Sequence, residues 1–156
     1  MTLIRPYIDS DRHSLVELIW ESDVYHHTLI SNKTEIERSL VRVPEGVEIL
    51  VAADGNQITG FASFSTLYPA AVGRPQLFLK ELFVSQKHHR KNVGKKLMSA
   101  LLQLAIKRGY TRIDWTTEED NHIARAFYEK IGASPVKKLF YRLENDDLIA
   151  ASKNLE

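Results

Sequence analysis

The chain has 156 residues, a formal net charge of +1 and no cysteine. Its length is typical of one domain with its own core, and the lack of cysteine excludes a disulfide framework, a thiolate metal site and a cysteine nucleophile. The near-neutral charge argues against a nucleic-acid binder, which usually carries a strong positive excess. The amino terminus has no basic segment followed by an apolar run, and no stretch of about 20 apolar residues occurs, so we expect a soluble, cytoplasmic protein without a membrane partner.

Hydrophobic periodicity and turn residues predict a chain of alternating short strands and helices. In chain order, the predicted elements are a strand over residues 3–7, a helix capped within 9–11 and ending near 22, an irregular stretch over 22–29, a helix over 32–42, strands over 47–53, 57–67 and 76–84, a helix over 94–108, a strand over 112–116, a helix over 121–131, a strand over 136–143 and a helix over 146–153.

Two signals predict how these strands pair. Asp54-Gly55-Asn56 supplies the positive φ angles of a tight turn, so the strands beside it form an antiparallel hairpin. A full helix separates residues 76–84 from residues 112–116, so these two strands run parallel. We therefore predict a single α/β (α+β) domain over residues 1–156, with a mixed, mostly antiparallel twisted sheet flanked by helices.

The strongest functional signal lies between the third long strand and the helix that follows it. The strand ends at Val84, a basic turn follows, and Gly94 opens an amphipathic helix. Free backbone N–H groups and the positive end of a helix dipole then meet at one place, which is how folds hold phosphate. A run of basic residues is more often a solvated face, but the strand and helix around this one favour an anion site. The basic residues are Lys87, Arg90, Lys91, Lys95 and Lys96, with His88 and His89 beside them.

Two common phosphate motifs do not fit this stretch. A P-loop needs glycine five positions before Gly94 and a Ser or Thr after Lys95, but His89 and Lys96 occupy those places. A dinucleotide fingerprint needs a glycine triplet that is missing.

The stretch does resemble the GNAT superfamily of N-acetyltransferases, and the resemblance extends over roughly residues 4–148. In that family a Leu-Phe-Val strand precedes a turn of the form Gln/Arg-x-x-Gly-x-Gly/Ala and a long helix. Here the strand ends in Leu82-Phe83-Val84, and His89, Asn92 and Gly94 occupy the three places of the turn. Asn tolerates positive φ better than most residues, so Asn92 can keep the turn, and His89 can still offer a ring N–H.

A second motif supports the same family. The pattern Asn-x-x-Ala-x-x-Phe/Leu-Tyr-x-x-x-Gly is met by Asn121, Ala124, Phe127, Tyr128 and Gly132. Asn121, Ala124 and Tyr128 share one helical face. We interpret Phe127 as a core aromatic and Tyr128 as functional, because both motifs occur in the family's order and separation.

The resemblance implies an acetyl-CoA-dependent N-acetyltransferase (a transferase of the acyltransferase class) that uses no metal and transfers acetyl to a primary amine of a small molecule or peptide by direct attack. Backbone groups near Phe83 and Val84 would hold the pantetheine arm, and the N–H groups of residues 90–95 the pyrophosphate. Tyr128 would protonate the departing thiolate. The candidate cofactor-binding residues are Phe83, Val84, His89, Arg90, Lys91, Asn92, Val93, Gly94, Lys95, Asn121 and Ala124.

An attacking amine is mostly protonated at neutral pH and needs a base. Glu81 is the candidate, because it alternates with Leu79 and Phe83 on a face that is otherwise apolar. An edge carboxylate paired with a lysine is an equally open interpretation.

The acceptor side of this fold is usually lined by the first two helices and their connection, which here carry Glu21, Asp23, Tyr25, His26 and His27. The two acids would suit a cationic amine such as a polyamine or a lysine side chain, although exposed acids are common in loops. The histidine pair lacks a third ligand at suitable spacing, so no metal site is predicted.

Two other functions stay open at this point. One is a catalytically weak GNAT-like domain that binds acetyl-CoA as a sensor or interaction module, and the other is a nucleic-acid-binding module that uses the basic turn, which we disfavour. The family often dimerises through its last strands, so residues 136–148 are the candidate contact of a homodimer, and their content is compatible with either state.

Overall fold

The structure, a computed structural model, describes residues 1–28 and 32–155. The chain divides into two compact units, Met1–Thr116 and Thr117–Glu156. Within its described residues, the first unit has five strands and three α-helices. They are β1 (Leu3–Pro6), α1 (Arg12–Tyr25), α2 (Lys33–Val41), β2 (Val47–Asp54), β3 (Gln57–Leu67), β4 (Gln76–Val84), α3 (Val93–Lys107) and β5 (Ile113–Trp115).

The five strands form one sheet in the order β1-β2-β3-β4-β5. Neighbours from β1 to β4 are antiparallel, and β5 runs parallel to β4. The predicted mixed, mostly antiparallel sheet flanked by helices is therefore confirmed, as are the hairpin between β2 and β3 and the crossover through α3.

The sheet has a helical layer on each face. On one face α1 and α2 pack against side chains of β2, β3 and β4 that include Val51, Phe61 and Phe83. Gly60 precedes Phe61 and therefore faces the other side, where Val93 and Leu97 of α3 approach it. Leu97, Met98 and Leu101 are almost fully buried. The apolar stripe predicted for α3 is thus the face that packs on the sheet.

A β-bulge in β4 changes which face its residues occupy. Consecutive residues Ser63 and Phe64 of β3 pair with Glu81 and Leu79, so Lys80 is an extra residue. Glu81 and Phe83 therefore face α1, whereas Leu79 faces the side of α3. The sequence-based placement of Leu79 and Glu81 on one face is wrong, because strict alternation takes no account of a bulge.

β4 is paired with a strand on both sides for only part of its length. β4 and β5 pair only at three positions, Leu77–Ile113, Phe78–Asp114 and Leu79–Trp115. From Lys80 to Val84, β4 has β3 on one side and, in the part of the chain that the structure describes, no strand on the other. This unpaired end of β4, residues 80–84, leads directly into the basic turn.

The start of the chain differs from the prediction in two respects. α1 continues to Tyr25, three residues beyond the predicted end, so residues 22–25 are helical and not irregular; residue 29, the predicted end of that stretch, lies outside the described residues. Asp11 does not cap the helix with its side chain. Its carboxylate instead accepts two hydrogen bonds from Arg5, at 2.6 and 2.8 Å, and one from the Ile8 backbone.

The second unit contains α4 (His122–Lys130) and α5 (Asp146–Asn154), both close to the predicted ranges. The strand predicted over residues 136–143 is wrong, since that segment has no strand pairing in the structure. Its large apolar side chains are exposed. They are Val136, Leu139, Phe140, Tyr141 and Leu143, with exposed fractions between 54% and 86%. None of the helices within residues 1–28 and 32–155 is both long and apolar enough to cross a membrane.

Candidate functional site

The basic turn after β4 is built on two residues in the left-handed region. Arg90 has φ 64° and Asn92 has φ 59°. Asn92 sits at the N-cap of α3, and its carbonyl accepts the first helical bond from the Lys96 N–H. The predicted positive φ at Asn92 is confirmed, while the one at Arg90 was not foreseen, because arginine carries no preference for this region.

His89 ties this turn back to the strand. Its Nε2 lies 2.9 Å from the backbone oxygen of Val84. A carbonyl can only accept, so the ring nitrogen donates and carries the proton. The side chain that replaces the family's Gln or Arg therefore closes the turn on the last residue of β4.

Gly94 leaves a gap between the start of α3 and the unpaired end of β4. A Cβ at Gly94 would lie 3.7 Å from the side chains of both Leu82 and Val84. A Cβ would make ordinary contact there, whereas a larger side chain would press against Leu82 and Val84. The first N–H groups of α3 have no partner within the helix, and they face the same region as the exposed basic side chains. The exposed basic residues are Lys87, Arg90, Lys91, Lys95 and Lys96.

Gly60 sets how closely α3 approaches the sheet. A Cβ there would lie 2.9 Å from the Phe83 carbonyl oxygen, 3.2 Å from Val93 and 3.3 Å from Leu97. Only glycine permits this approach, which brings the first turn of α3 to the end of β4. Sequence analysis missed Gly60, because a glycine inside a strand does not indicate what comes near it.

Glu81 is the acid at the beginning of the unpaired end of β4. Its Oε1 accepts a hydrogen bond from the hydroxyl of Ser22, a residue of α1 that is 1% exposed. The bulge at Lys80 turns Glu81 toward α1, so its partner is this serine. Ser22 was not foreseen, because 59 residues separate the two.

Glu21, the neighbour of Ser22, contacts the other end of the same stretch. Its Oε1 accepts hydrogen bonds from the Gln86 backbone N–H at 2.9 Å and from the Ser85 hydroxyl at 3.2 Å. The backbone carbonyl of Asp23 accepts hydrogen bonds from the Thr28 N–H and hydroxyl, and the Asp23 carboxylate accepts from the same hydroxyl at 3.3 Å. The two acids predicted to attract a cationic acceptor thus have intramolecular partners.

Aromatic side chains from the end of α1 cover Phe83. The ring centroids of Tyr25 and Phe83 are 6.1 Å apart, those of His26 and Phe83 6.3 Å, and those of Tyr25 and His26 5.0 Å. Tyr25 is 43% exposed, so this group presents an aromatic surface to solvent beside the unpaired end of β4. Of the predicted acceptor side, Tyr25 and His26 are the residues whose rings pack against Phe83.

In the second unit, the residues of the other motif are held by α4. Asn121 is the N-cap of α4, and its side-chain oxygen accepts the Ala124 backbone N–H at 3.1 Å. Tyr128 lies seven residues further on, is partly buried, and its ring centroid is 5.5 Å from that of Phe127. Burial raises the pKa of Tyr128 above its ordinary value of about 10. The phenol is therefore protonated at neutral pH and can serve as a proton donor.

The described residues contain no group of three His, Asp or Glu side chains that could hold a metal ion. What the first unit offers is an unpaired strand edge, which suits a chain of amides, and a turn and helix start that suit a phosphate group. A ligand that carries both amides and a pyrophosphate matches this pair of features.

Comparison with known proteins gives a consistent result. Residues 12–133 match the acetyltransferase (GNAT) family. The chain is similar to L-ornithine N5-acetyltransferase NATA1 of Arabidopsis thaliana, with 32% identity over 97 residues that cover 62% of this chain and 42% of that protein. It is also similar to N-acetyltransferase family 8 member 3 of Rattus norvegicus, with 28% identity over 64% of this chain and 45% of that one. The chain thus spans less than half the length of these two relatives.

Among solved structures, the integron cassette protein VCH_CASS6 from the mobile metagenome of V. cholerae has a TM-score of 0.86 and 30% identity, over 97% of this chain and 98% of that one. Ribosomal-protein-alanine N-acetyltransferase from Brucella melitensis has a TM-score of 0.74 and 20% identity, over 92% and 100% of the two chains. The second likeness supports the fold alone.

Proposed function

The chain belongs to the acetyltransferase (GNAT) family, and from this premise we propose that it transfers the acetyl group of acetyl-CoA to a primary amine by direct attack. The observation that carries the proposal is the unpaired end of β4, which runs into a left-handed turn and an open helix start at Gly94. Acetyltransferase activity agrees with the family; acetyl-CoA dependence, the acceptor and the chemical steps are our proposal.

The geometry supports the proposed cofactor-binding residues. The pantetheine amides pair with the unpaired backbone edge near Phe83 and Val84, except at the Val84 carbonyl, which is bonded to His89. The pyrophosphate accepts from the N–H groups at the start of α3, next to the basic side chains of the turn. The residues proposed for the pyrophosphate are Arg90, Lys91, Asn92, Val93, Gly94 and Lys95. Asn121 and Ala124 are proposed from the sequence motif.

Glu81 is the proposed base, since its carboxylate lies at the start of the unpaired edge and is oriented by Ser22. The amine nitrogen attacks the thioester carbonyl carbon, so that a C–N bond forms while the C–S bond breaks. The amine proton passes to Glu81, directly or through water. A backbone N–H of the unpaired edge stabilises the developing oxyanion.

Tyr128 is the proposed acid, which gives its phenolic proton to the thiolate of CoA. This role is supported by its place in the family motif and by its raised pKa, which keeps the phenol protonated at neutral pH.

The acceptor is proposed to be a small-molecule or peptide amine. One of the similar proteins acetylates the side-chain nitrogen of ornithine, according to its name, which favours the terminal amine of a basic amino acid or a polyamine. The exposed aromatic surface of Tyr25 and His26 suits the alkyl chain and the cation of such a substrate.

A coenzyme A release assay tests the proposed function. The protein is incubated with acetyl-CoA and a panel of polyamines, basic amino acids, aminoglycosides and lysine peptides, and free thiol is measured. Amine-dependent thiol release is the expected result. Binding of acetyl-CoA without turnover on any amine would instead support the catalytically weak sensor.

Two further features stay proposals. A homodimer through residues 136–148 is supported by the exposed apolar side chains of that segment. The cytoplasmic location and the absence of nucleic-acid and membrane partners stay predictions of the sequence.

A further inference from the structure

The unpaired end of β4 lacks the support that strands inside a sheet receive from both sides. In the described part of the chain, residues 80–84 have β3 as their only strand neighbour. A strand edge held on one side opens more easily than one held on both. If this edge binds acetyl-CoA, another element has to fix its shape before the ligand arrives.

The last turn of α1 contacts this stretch at both of its ends. Ser22 donates to Glu81 at the beginning, and Glu21 accepts from Ser85 and Gln86 just beyond the end. The two contacts come from consecutive residues of one rigid helix, so they fix the spacing between residues 81 and 86. Tyr25, one turn later, lies over Phe83 in the middle.

The hydrogen bonds that Glu21 accepts are stronger than those between neutral groups. A carboxylate that accepts a backbone N–H makes a charge-assisted hydrogen bond, roughly twice as strong as a neutral one. Ser85 is 6% exposed, so its hydroxyl is shielded from water as a competing partner. Gln86 begins the short helix Gln86–His88 that leads into the basic turn, so Glu21 also fixes where that turn starts.

We infer that Glu21 and Ser22 are positioning residues that hold the unpaired end of β4 and the start of the basic turn in the shape that binds acetyl-CoA. Glu21 holds the residues next to the proposed phosphate site, and Ser22 orients the carboxylate of Glu81. The inference rests on the proposed function, because the ligand it names is the proposed one. It also assigns the acid at residue 21 to the cofactor side and not to the acceptor.

Replacement of Glu21 tests the inference. Glu21→Ala is expected to raise the Kd for acetyl-CoA about tenfold, since it removes two hydrogen bonds to a charged group. Amide hydrogen exchange of residues 82–89 in the ligand-free protein is expected to accelerate by a similar factor. Glu21→Gln keeps an acceptor oxygen and is expected to restore part of both effects. Glu17→Ala is the matched control, because Glu17 lies one turn earlier on α1 and pairs with Lys33.

Ser22 has a different expected signature. Ser22→Ala is expected to lower kcat more than it raises the KM for acetyl-CoA. Glu81 loses the hydrogen bond that orients it, whereas Glu21 still holds the start of the basic turn. If Glu21→Ala does not fold, Ser85→Ala removes a single donor and decides the question by the same measurements.

Wild-type exchange rates and affinity in the Glu21 and Ser85 variants would overturn the inference. Failure of the wild-type protein to bind acetyl-CoA would refute the proposed function instead, and the exchange rates of the free protein would still report whether α1 supports the strand.

Discussion

Individual side chains give this protein its proposed chemistry, and Tyr128 is the one whose role burial supports. Tyr128→Phe removes only the phenolic oxygen, so we expect kcat to fall about 100-fold with little change in the KM for acetyl-CoA. Because the pKa of Tyr128 is raised, the acid stays protonated up to about pH 10, and the alkaline fall in kcat should lie above that pH.

Steady-state kinetics across pH measures both effects. Tyr68→Phe is the control, since it removes the hydroxyl of a tyrosine that is 73% exposed and lies outside the proposed site and dimer contact. A Tyr128→Phe enzyme with wild-type kcat would contradict the acid role.

Glu81 is tested by a variant that keeps its contact with Ser22. Gln has an oxygen that can still accept from the serine hydroxyl, so Glu81→Gln removes the proton acceptor and preserves the local packing. We expect kcat to fall about 100-fold while the KM for acetyl-CoA stays within about twofold. Initial rates at saturating amine decide the matter, with Glu17→Gln as control. An unchanged rate would leave water or another carboxylate as the base.

Asp11 shows how a single residue can make stability depend on pH. Its pKa is lowered, first by the hydrogen bonds from Arg5 and then by that from the Ile8 backbone. A lowered pKa adds stability that is fully present above the ordinary pKa of about 3.9 and is lost as pH falls through the folded value.

We therefore expect Asp11→Asn to lower the free energy of unfolding by about 2 kcal/mol at pH 7. The difference from wild type should shrink as pH falls below about 4. Urea titrations at several pH values measure it. Asp9→Asn, at a side chain that is 84% exposed, should change the free energy of unfolding by less than about 0.5 kcal/mol. An equal loss in both variants would show that the Arg5 contact is unimportant.

At the residue scale, local backbone features could be predicted where a motif carries the information. Asn92 at positive φ and Gly94 in the first turn of α3 follow from local patterns, whereas the role of Tyr128 stays a prediction. Ser22 and Glu21 could not be predicted, because their partners lie 59 and 65 residues away in sequence and no local pattern encodes that contact. The face of Leu79 was predicted wrongly, because the prediction assumed strict alternation of side chains along the strand and Lys80 is an extra, bulged residue.

The packing of helices and strands brings these residues together. Variants at two glycines with different surroundings should distinguish an effect on folding from an effect on binding. A methyl group at Gly60 would lie 2.9 Å from the Phe83 carbonyl oxygen of β4 and 3.2 and 3.3 Å from Val93 and Leu97 of α3, so Gly60→Ala should disturb both the strand and the close approach of α3. We expect it to cost about 1–3 kcal/mol of stability and to weaken acetyl-CoA binding as well. A methyl group at Gly94 would make only ordinary contacts at 3.7 Å, so Gly94→Ala should fold and bind.

A larger side chain at Gly94 is expected to act on binding alone. Gly94→Leu should keep the wild-type unfolding temperature but abolish acetyl-CoA binding, because the side chain fills the gap beside Leu82 and Val84. Thermal unfolding and calorimetric titration separate the two glycines. Micromolar binding by Gly94→Leu would refute the cradle at the start of α3.

The elements themselves were largely predictable, since each has a strong local signal. The hairpin turn at Asp54-Gly55-Asn56, the apolar stripe of α3 and the crossover to β5 are all present. The expectation failed over residues 136–143, which have the composition of a strand but pair with none in the structure. Pairing needs a partner edge, and alternation within one segment does not indicate where that edge is.

At the scale of the whole molecule, that segment carries the proposed homodimer contact. Val136, Leu139, Phe140, Tyr141 and Leu143 are 54% to 86% exposed within eight consecutive positions. A monomer seldom leaves such a row of large apolar side chains in water, and an unpaired extended segment readily pairs with another chain. The second copy proposed above would cover these side chains.

Light scattering after gel filtration measures this directly. We expect a mass near twice the chain's 17.9 kDa at micromolar concentrations, and we expect Phe140→Glu to shift the protein to the monomer, because a buried carboxylate in the contact is costly. Lys138→Glu changes charge at an exposed polar site of the same segment and should shift the mass less. At about 50–100 µM even weak contacts between proteins form. A wild-type protein that stays monomeric at that concentration would contradict the dimer. If wild type and Phe140→Glu were both dimers, another surface would form the contact.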